Sequence, residues 1–254
     1  MPLELAPLPV VCEMQADESG YGFLLRSAYA NGISVAKLIE LAGVRRPTWP
    51  LPHELERLAQ LASVLPHQLT QAMKVRQSTL GRREFTFVNH RWMSVTALRA
   101  RALQVCPSCL QEHGYCRAIW ELVGFSVCTR HGCHLVDRCM HCGAGIGWLR
   151  PAIDLCRCGR FYASGPPTIE GADAVIGWTN WLESQCSPGQ AESLVFYAGQ
   201  RDWWLQAEPD TAFHLLQAFG VRRDAVHHRS QEDTVLIPRT LEVTDDLPPV
   251  GRTS

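Results

Sequence analysis

Between residues 106 and 158 the chain carries four close pairs of thiol or imidazole side chains, and no other feature restricts its folding as much. Nine of the 11 cysteines fall in this stretch, which random scatter would not produce. The first two pairs are Cys106-Pro-Ser-Cys109 and, after 18 residues, Cys128-Thr-Arg-His131. The next two are Cys139-Met-His-Cys142 and, after 13 residues, Cys156-Arg-Cys158. In a chain without a secretion signal, close cysteine pairs are zinc ligands before they are disulfides. The spacing predicts two tetrahedral zinc sites, one of three thiolates and an imidazole, the other of four thiolates. Each set fills four positions and leaves none for the water of a catalytic zinc, so both ions are expected to be structural. Gly143 and Gly159 follow the second cysteine of their pairs. A left-handed backbone there lets amide groups turn back toward the sulfurs. Sequential pairing would join 106/109 to 128/131, whereas a cross-braced arrangement would join 106/109 to 139/142; shorter loops favour the sequential one. Cys12, Cys116 and Cys186 stand alone and Cys133 could compete as a ligand, but all four are expected to be ordinary thiols. His113 and His134 are expected to be solvated or capping groups.

Charge is unevenly spread along the 254 residues, although the formal net charge is only −1. Residues 82–160 hold 11 basic and 5 acidic groups, a formal +6, and residues 161–254 hold 6 basic and 13 acidic, a formal −7. Seven thiolates and two zinc ions would still leave the middle at +3. Of the 24 basic residues 22 are arginine, which suits bidentate contacts with phosphate or carboxylate, although codon usage could produce the same bias. Such counts bear on partners, not on fold. With 46% hydrophobic residues the chain can build a core in one to three modules. No stretch approaches the roughly 20 apolar residues of a spanning helix, and MPLELAPLPVV lacks the basic start of a signal peptide. A cytoplasmic protein is expected.

The expected fold is mostly α with small zinc-stabilised β structure. An amino-terminal helical domain spans 1–81, a tandem zinc-binding domain of two ribbon-like modules 82–165, a carboxy-terminal helical region 166–220 and a flexible tail 221–254. Ser19 can cap a helix running to Tyr29, with Leu24, Leu25, Ala28 and Tyr29 inward, and Ser34 one running to Ala42, with Val35, Leu38, Ile39 and Ala42 inward. A third helix over about 53–64 would bury Leu55, Leu58, Ala59 and Ala62, and Pro66 opens a fourth with Leu69 and Met73. The turn at 63–66 suits a helix-turn-helix with His67, Gln68, Gln71, Lys74 and Arg76 exposed; an ordinary helical packing module fits the same pattern. Residues 117–128 have the composition of β structure, with Trp120, Leu122 and Val127 as core. Past residue 167 helices are expected through Trp178, Trp181 and Leu182, then over about 192–205 and 211–219.

The strings Val105-Cys-Pro-Ser-Cys-Leu110, Trp120, Cys128-Thr-Arg-His-Gly-Cys-His-Leu135 and Cys139-Met-His-Cys-Gly143 resemble the TniQ family of transposition proteins. Glu18-Ser19, Leu25, Asn31-Gly32 and Leu58-Ala59 extend the likeness over roughly residues 10–165. The resemblance implies a helix-turn-helix followed by two zinc modules, with ligands at Cys106, Cys109, Cys128, His131, Cys139, Cys142, Cys156 and Cys158. It also implies a target-selection adaptor that is not itself the transposase. Such adaptors link a target recogniser, either their own DNA contacts or a CRISPR effector complex with its guide RNA, to an AAA+ ATPase that recruits the transposase, with room for self-association. The Cys156-Arg-Cys158 spacing departs from the family pattern.

Arg82, Arg83, Arg91, Arg99 and Arg101, which precede the first cysteine pair, are candidates for contacts with target DNA or an acidic partner. The alternative is a stand-alone zinc-ribbon, helix-turn-helix transcription regulator that needs no ATPase. A zinc-flanked nuclease would need catalytic His and Asn between the cysteine pairs, and 110–127 holds His113 but no Asn or Asp. No enzymatic activity is expected. Native mass spectrometry of the folded chain should show two bound zinc ions; well-folded protein with fewer would remove the basis of this reading.

Overall fold

The computed structural model describes residues 5–45, 50–73, 77–78, 84–88, 91–94, 97–99, 103–162 and 173–186. Four helices come first: α1 Gly20–Ala30, α2 Val35–Leu41, α3 Pro52–Leu61 and α4 Pro66–Ala72. Ser19 and Ser34 cap α1 and α2, their side-chain oxygens accepting the N–H groups of Gly22 and Lys37. α3 and α4 lack a capping hydroxyl and start on proline, whose missing N–H costs nothing at a first turn. At α3 the Glu54 carboxylate does the capping, accepting from Leu51 N–H at 2.8 Å and Arg45 N–H at 3.0 Å. Those hydrogen bonds, led by Leu51, hold Glu54 below its ordinary pKa although burial opposes them.

One face of each helix supplies the first core, with Phe23, Leu24, Leu25, Ala28, Leu38, Leu55, Leu58, Ala59 and Leu69 all at or near zero exposure. Tyr29, expected inward, is 63% exposed because the bundle covers only the Leu24, Leu25 and Ala28 side of α1. α3 begins at Pro52 and ends three residues before the expected Val64, since Ser63 adopts φ 53° and turns the chain into α4. The two glycines of α1 set its neighbours: a Cβ on Gly20 would collide with Met73 Cγ, and one on Gly22 would lie 2.9 Å from Cys116 Cβ.

Three antiparallel strands follow, β1 Gln77–Ser78, β2 Glu84–Val88 and β3 Arg91–Ser94, in sheet order β1-β2-β3 with Gln77 opposite Phe85 and Phe87 opposite Trp92. β1 and β2 lie on either side of residue 81, where the helical domain was expected to end. Next come α5 Pro107–His113, a short 3-10 helix Ala118–Glu121, a two-residue ladder of β4 Val127–Cys128 with β5 Cys133–His134, and α6 Asp173–Cys186. Among the described residues the architecture is mostly helical with small sheets, and no helix is long and apolar enough to cross a membrane.

The expected β run over 117–128 is not formed. Only Val127–Cys128 is a strand: Ala118–Glu121 wind into a 3-10 helix, Leu122 makes a single isolated bridge with Leu98, and the carbonyls of Trp120 and Phe125 accept hydrogen bonds from the buried Gln104 side chain. Trp120, Leu122 and Val127 are nevertheless buried. The second core gathers Trp120, Leu122 and Phe125 with Trp178, Trp181 and Leu182 of α6, and Trp178 Nε1 donates to Gly124 O at 2.9 Å. The aromatics of α6 therefore serve packing. The expected helices over 192–205 and 211–219, and the tail from 221, lie outside the described residues.

A buried polar seam joins the two cores. Arg117, 4% exposed, donates to Asp17 Oδ2 at 2.7 Å and to Glu183 of α6, while Tyr115 Oη donates to Asp17 Oδ1 at 2.7 Å. Ser19 Oγ donates to Glu121, Ser19 N–H to Cys116 O, and Ala118 N–H to Asp17 O. Tyr21 and Trp148 stack across the same junction with centroids 5.3 Å apart. Burial would raise the pKa of Asp17, but the Tyr115 hydroxyl and Arg117 outweigh it and hold the carboxyl below its usual value. Asp17 thus stabilises the fold above the ordinary aspartate pKa, and that contribution is lost as pH falls through its lowered one. Arg117→Ala would remove the arginine that Asp17 and Glu183 share and is expected to cost about 3 kcal/mol, measured as a lowered urea midpoint with unchanged slope. A midpoint equal to wild type would show that the seam carries no weight.

Candidate metal centres and a candidate nucleic-acid face

Cys106 is the N-cap of α5, so the first pair sits on a helix N-terminus, where Cys109 N–H points at Cys106 Sγ at 3.5 Å. Cys128 ends β4, and His131 lies in the tight turn that returns to β5. Cys106, Cys109, Cys128 and His131 converge with their donor atoms within 4.8 Å of one another, and so do Cys139, Cys142, Cys156 and Cys158. The pairing is sequential, not cross-braced.

The donor geometry fits a tetrahedral ion. Metal–sulfur bonds of about 2.3 Å and metal–nitrogen bonds of about 2.0 Å imply sulfur–sulfur edges of about 3.8 Å and sulfur–nitrogen edges of about 3.5 Å. In the first centre His131 Nδ1 lies 3.5 Å from Cys106, 3.3 Å from Cys109 and 3.5 Å from Cys128, and the Cys109 and Cys128 sulfurs are 3.5 Å apart. In the second the Cys139–Cys158 and Cys142–Cys156 separations are both 3.7 Å. Gly143 and Gly159 take φ 70° and 80°, the left-handed turn expected after each pair.

Electrostatics make the same demand. The thiols of Cys109 and Cys128 stabilise a Cys106 thiolate and push its pKa down to about 2, whereas Cys106 and Cys128 drive Cys109 far up. Burial opposes ionisation of Cys139, but the N–H groups of Cys142 and His141 outweigh it and bring that thiol to about 7. Cys156 is pushed up to about 12: the Cys158 N–H favours its thiolate, but burial and the neighbouring thiols prevail. Crowded sulfurs of this kind ionise together only around a cation. Each centre offers four donors.

Glu112, which sequence reasoning did not single out, orients the first centre. His131 Nε2 lies 2.9 Å from Glu112 Oε1, so Nδ1 faces the sulfurs, and Glu112 first and Cys128 second raise the His131 pKa. A carboxylate behind a ligating imidazole fixes its tautomer and ring plane. The sequence signal was weak: Glu112 falls three residues after Cys109, on one face of α5 only once that helix is known. Thr129 Oγ1, in the ligand turn, donates to Glu183, so α6 also braces the centre. The remaining cysteines differ in surroundings. Cys12 is half-buried and Cys186 buried in α6. Cys116 is buried 3.3 Å from Arg150 Nη2, with burial pushing its pKa up to about 11. Cys133 is buried beside Cys106. His113 is exposed and His134 half-buried on β5.

Of the nucleic-acid candidates, His67, Gln68 and Gln71 are exposed along α4, and Gln68 and Gln71 line a cleft with Met14, Gln15 and Glu18. Arg99 is partly buried, with burial lowering its pKa against the pull of Asp137. Arg91 begins β3. Lys74, Arg76, Arg82, Arg83 and Arg101 lie outside the described residues.

These features define a class: a helical module joined by a buried polar seam to a cysteine-rich part whose two four-donor clusters could each hold a metal ion. The TniQ family model matches residues 9–135, half of the chain, and the chain belongs to that family, which makes it a transposition-related protein. The search of curated proteins finds no match. The matched stretch contains the whole first centre, and the second lies beyond it. Glu112→Gln is expected to weaken metal binding at the first centre by 10-fold or more, read by chelator competition. Unchanged affinity would reduce Glu112 to a surface residue.

Proposed function

We propose that this protein is a target-selection adaptor of a transposon, with zinc in both centres and no catalytic role of its own. What most supports the reading is the family match taken with two four-donor clusters that leave no coordination position free. Three thiolates with one imidazole, and four thiolates, are donor sets that suit zinc. Cys106, Cys109, Cys128 and His131 would hold one ion, and Cys139, Cys142, Cys156 and Cys158 the other. Each ion would supply cohesion, not Lewis acidity.

In this reading α3 and α4 act as a helix-turn-helix, with His67, Gln68 and Gln71 meeting DNA and the arginines between residues 82 and 101 meeting phosphate or an acidic partner. The partners are an AAA+ transposition ATPase and a target recogniser, either DNA contacts of the chain itself or a CRISPR effector complex with guide RNA. The seam through Asp17, Arg117 and Glu183 would hold the DNA-facing helices at one orientation to the zinc modules, as an adaptor bridging two partners requires.

The test is a binding comparison. Purified chain is expected to bind DNA weakly and with steep salt dependence, and to form a tight complex only once the ATPase or the guide complex is added. A Kd of about 10⁻⁸ M or tighter on one sequence, unaided and indifferent to the ATPase, would instead identify a transcription regulator.

A further inference from the structure

A fifth sulfur lies beside the four donors of the first centre, outside their mutually close set. Cys133 stands opposite Cys128 in the β4–β5 ladder, is 6% exposed, and places its Sγ 3.8 Å from Cys106 Sγ. That is the sulfur–sulfur edge of a tetrahedral thiolate site, about 3.8 Å, and nearly the 3.7 Å that separates ligand sulfurs in the second centre.

His131 and Cys133 occupy the two ends of one short turn, which Gly132 N–H closes onto Cys128 O at 2.7 Å. Of the four ligands His131 is the least secure. It is the one donor without a formal charge, its side chain is 21% exposed, and it is oriented by Glu112, whose side chain is 54% exposed. A thiolate arriving from the inner side of the same turn would be charged, softer and shielded from water.

We propose that Cys133 is a reserve ligand of the first centre, taking the corner of His131 when the imidazole leaves. The His131 Nδ1–metal bond breaks and a Cys133 Sγ–metal bond forms. The Cys133 thiol gives its proton to solvent, and the three-thiolate, one-imidazole set becomes four thiolates. The exchange would draw Cys133 inward with its turn and the start of β5, while Cys106, Cys109 and Cys128 would keep their hold. The inference rests on the zinc reading above.

Zinc per chain, counted by native mass spectrometry with circular dichroism as the check on folding, tests it on four full-length proteins. Wild type, H131A and C133A are each expected to carry two zinc ions. The double variant H131A/C133A should carry one or fail to fold. A single zinc in H131A, or an H131A chain that cannot be recovered folded, overturns the proposal, and so do two zinc ions in the double variant. Wild type carrying fewer than two would overturn the zinc reading itself, which separates the two failures. Independently, a competing chelator should extract the first zinc from C133A about tenfold more readily than from wild type, and equal extraction would also overturn the proposal.

Discussion

Eight donor side chains converge from four pairs spread along the chain, and the middle of this protein depends on that convergence. Its regular elements are too short to hold themselves: α5 has seven residues, and β4 and β5 have two each. Isolated helices of that length are not stable in water, because the cost of nucleation is never recovered. The ligand sulfurs of Cys106, Cys109, Cys128, Cys139 and Cys156 are themselves members of the core that contains Trp120 and Phe125. A cation gathering them would order the core and the site in one step, since binding free energy at such a centre is folding free energy.

From that centre the constraint spreads outward through charged side chains. Thr129, in the ligand turn, donates to Glu183 of α6; Arg117 joins Glu183 to Asp17; and Asp17 leads directly into the cap of α1. The helical module therefore rests on the first metal centre by a continuous polar route as well as by the Tyr21–Trp148 stack. An arginine buried at this depth is stable only with both carboxylates in place. Relative placement of α4 and the metal-binding modules is thus a property of a few side chains, which suits a protein whose family works in transposition.

Rules that act over a few residues were legible in advance. Ser19 and Ser34 cap helices because a hydroxyl before an apolar repeat satisfies the first free N–H groups. Spacing alone marks the eight candidate donors, though not which pairs share a centre. The three-stranded sheet was missed although Phe85 and Phe87 alternate with polar neighbours in Glu84–Val88, a pattern overshadowed by the arginines around it. The β expectation for 117–128 failed for a different reason: Ala118–Glu121 wind into a 3-10 helix, and Gln104, 16 to 21 residues upstream, satisfies the carbonyls of Trp120 and Phe125.

By itself, the amino-acid sequence determined which eight groups can bind metal, where the first helices begin, and the family to which the chain belongs. These depend on residue identity at fixed short offsets, which the covalent chain enforces. Only the tertiary structure decided that the cysteine pairs join sequentially, that Glu112 backs His131, that Cys133 comes within ligand distance of Cys106, and that Arg117 ties Asp17 to Glu183 across 100 and 66 residues. Contacts at such separations arise from how cores pack, and packing depends on shape and volume summed over many side chains, which no local pattern encodes.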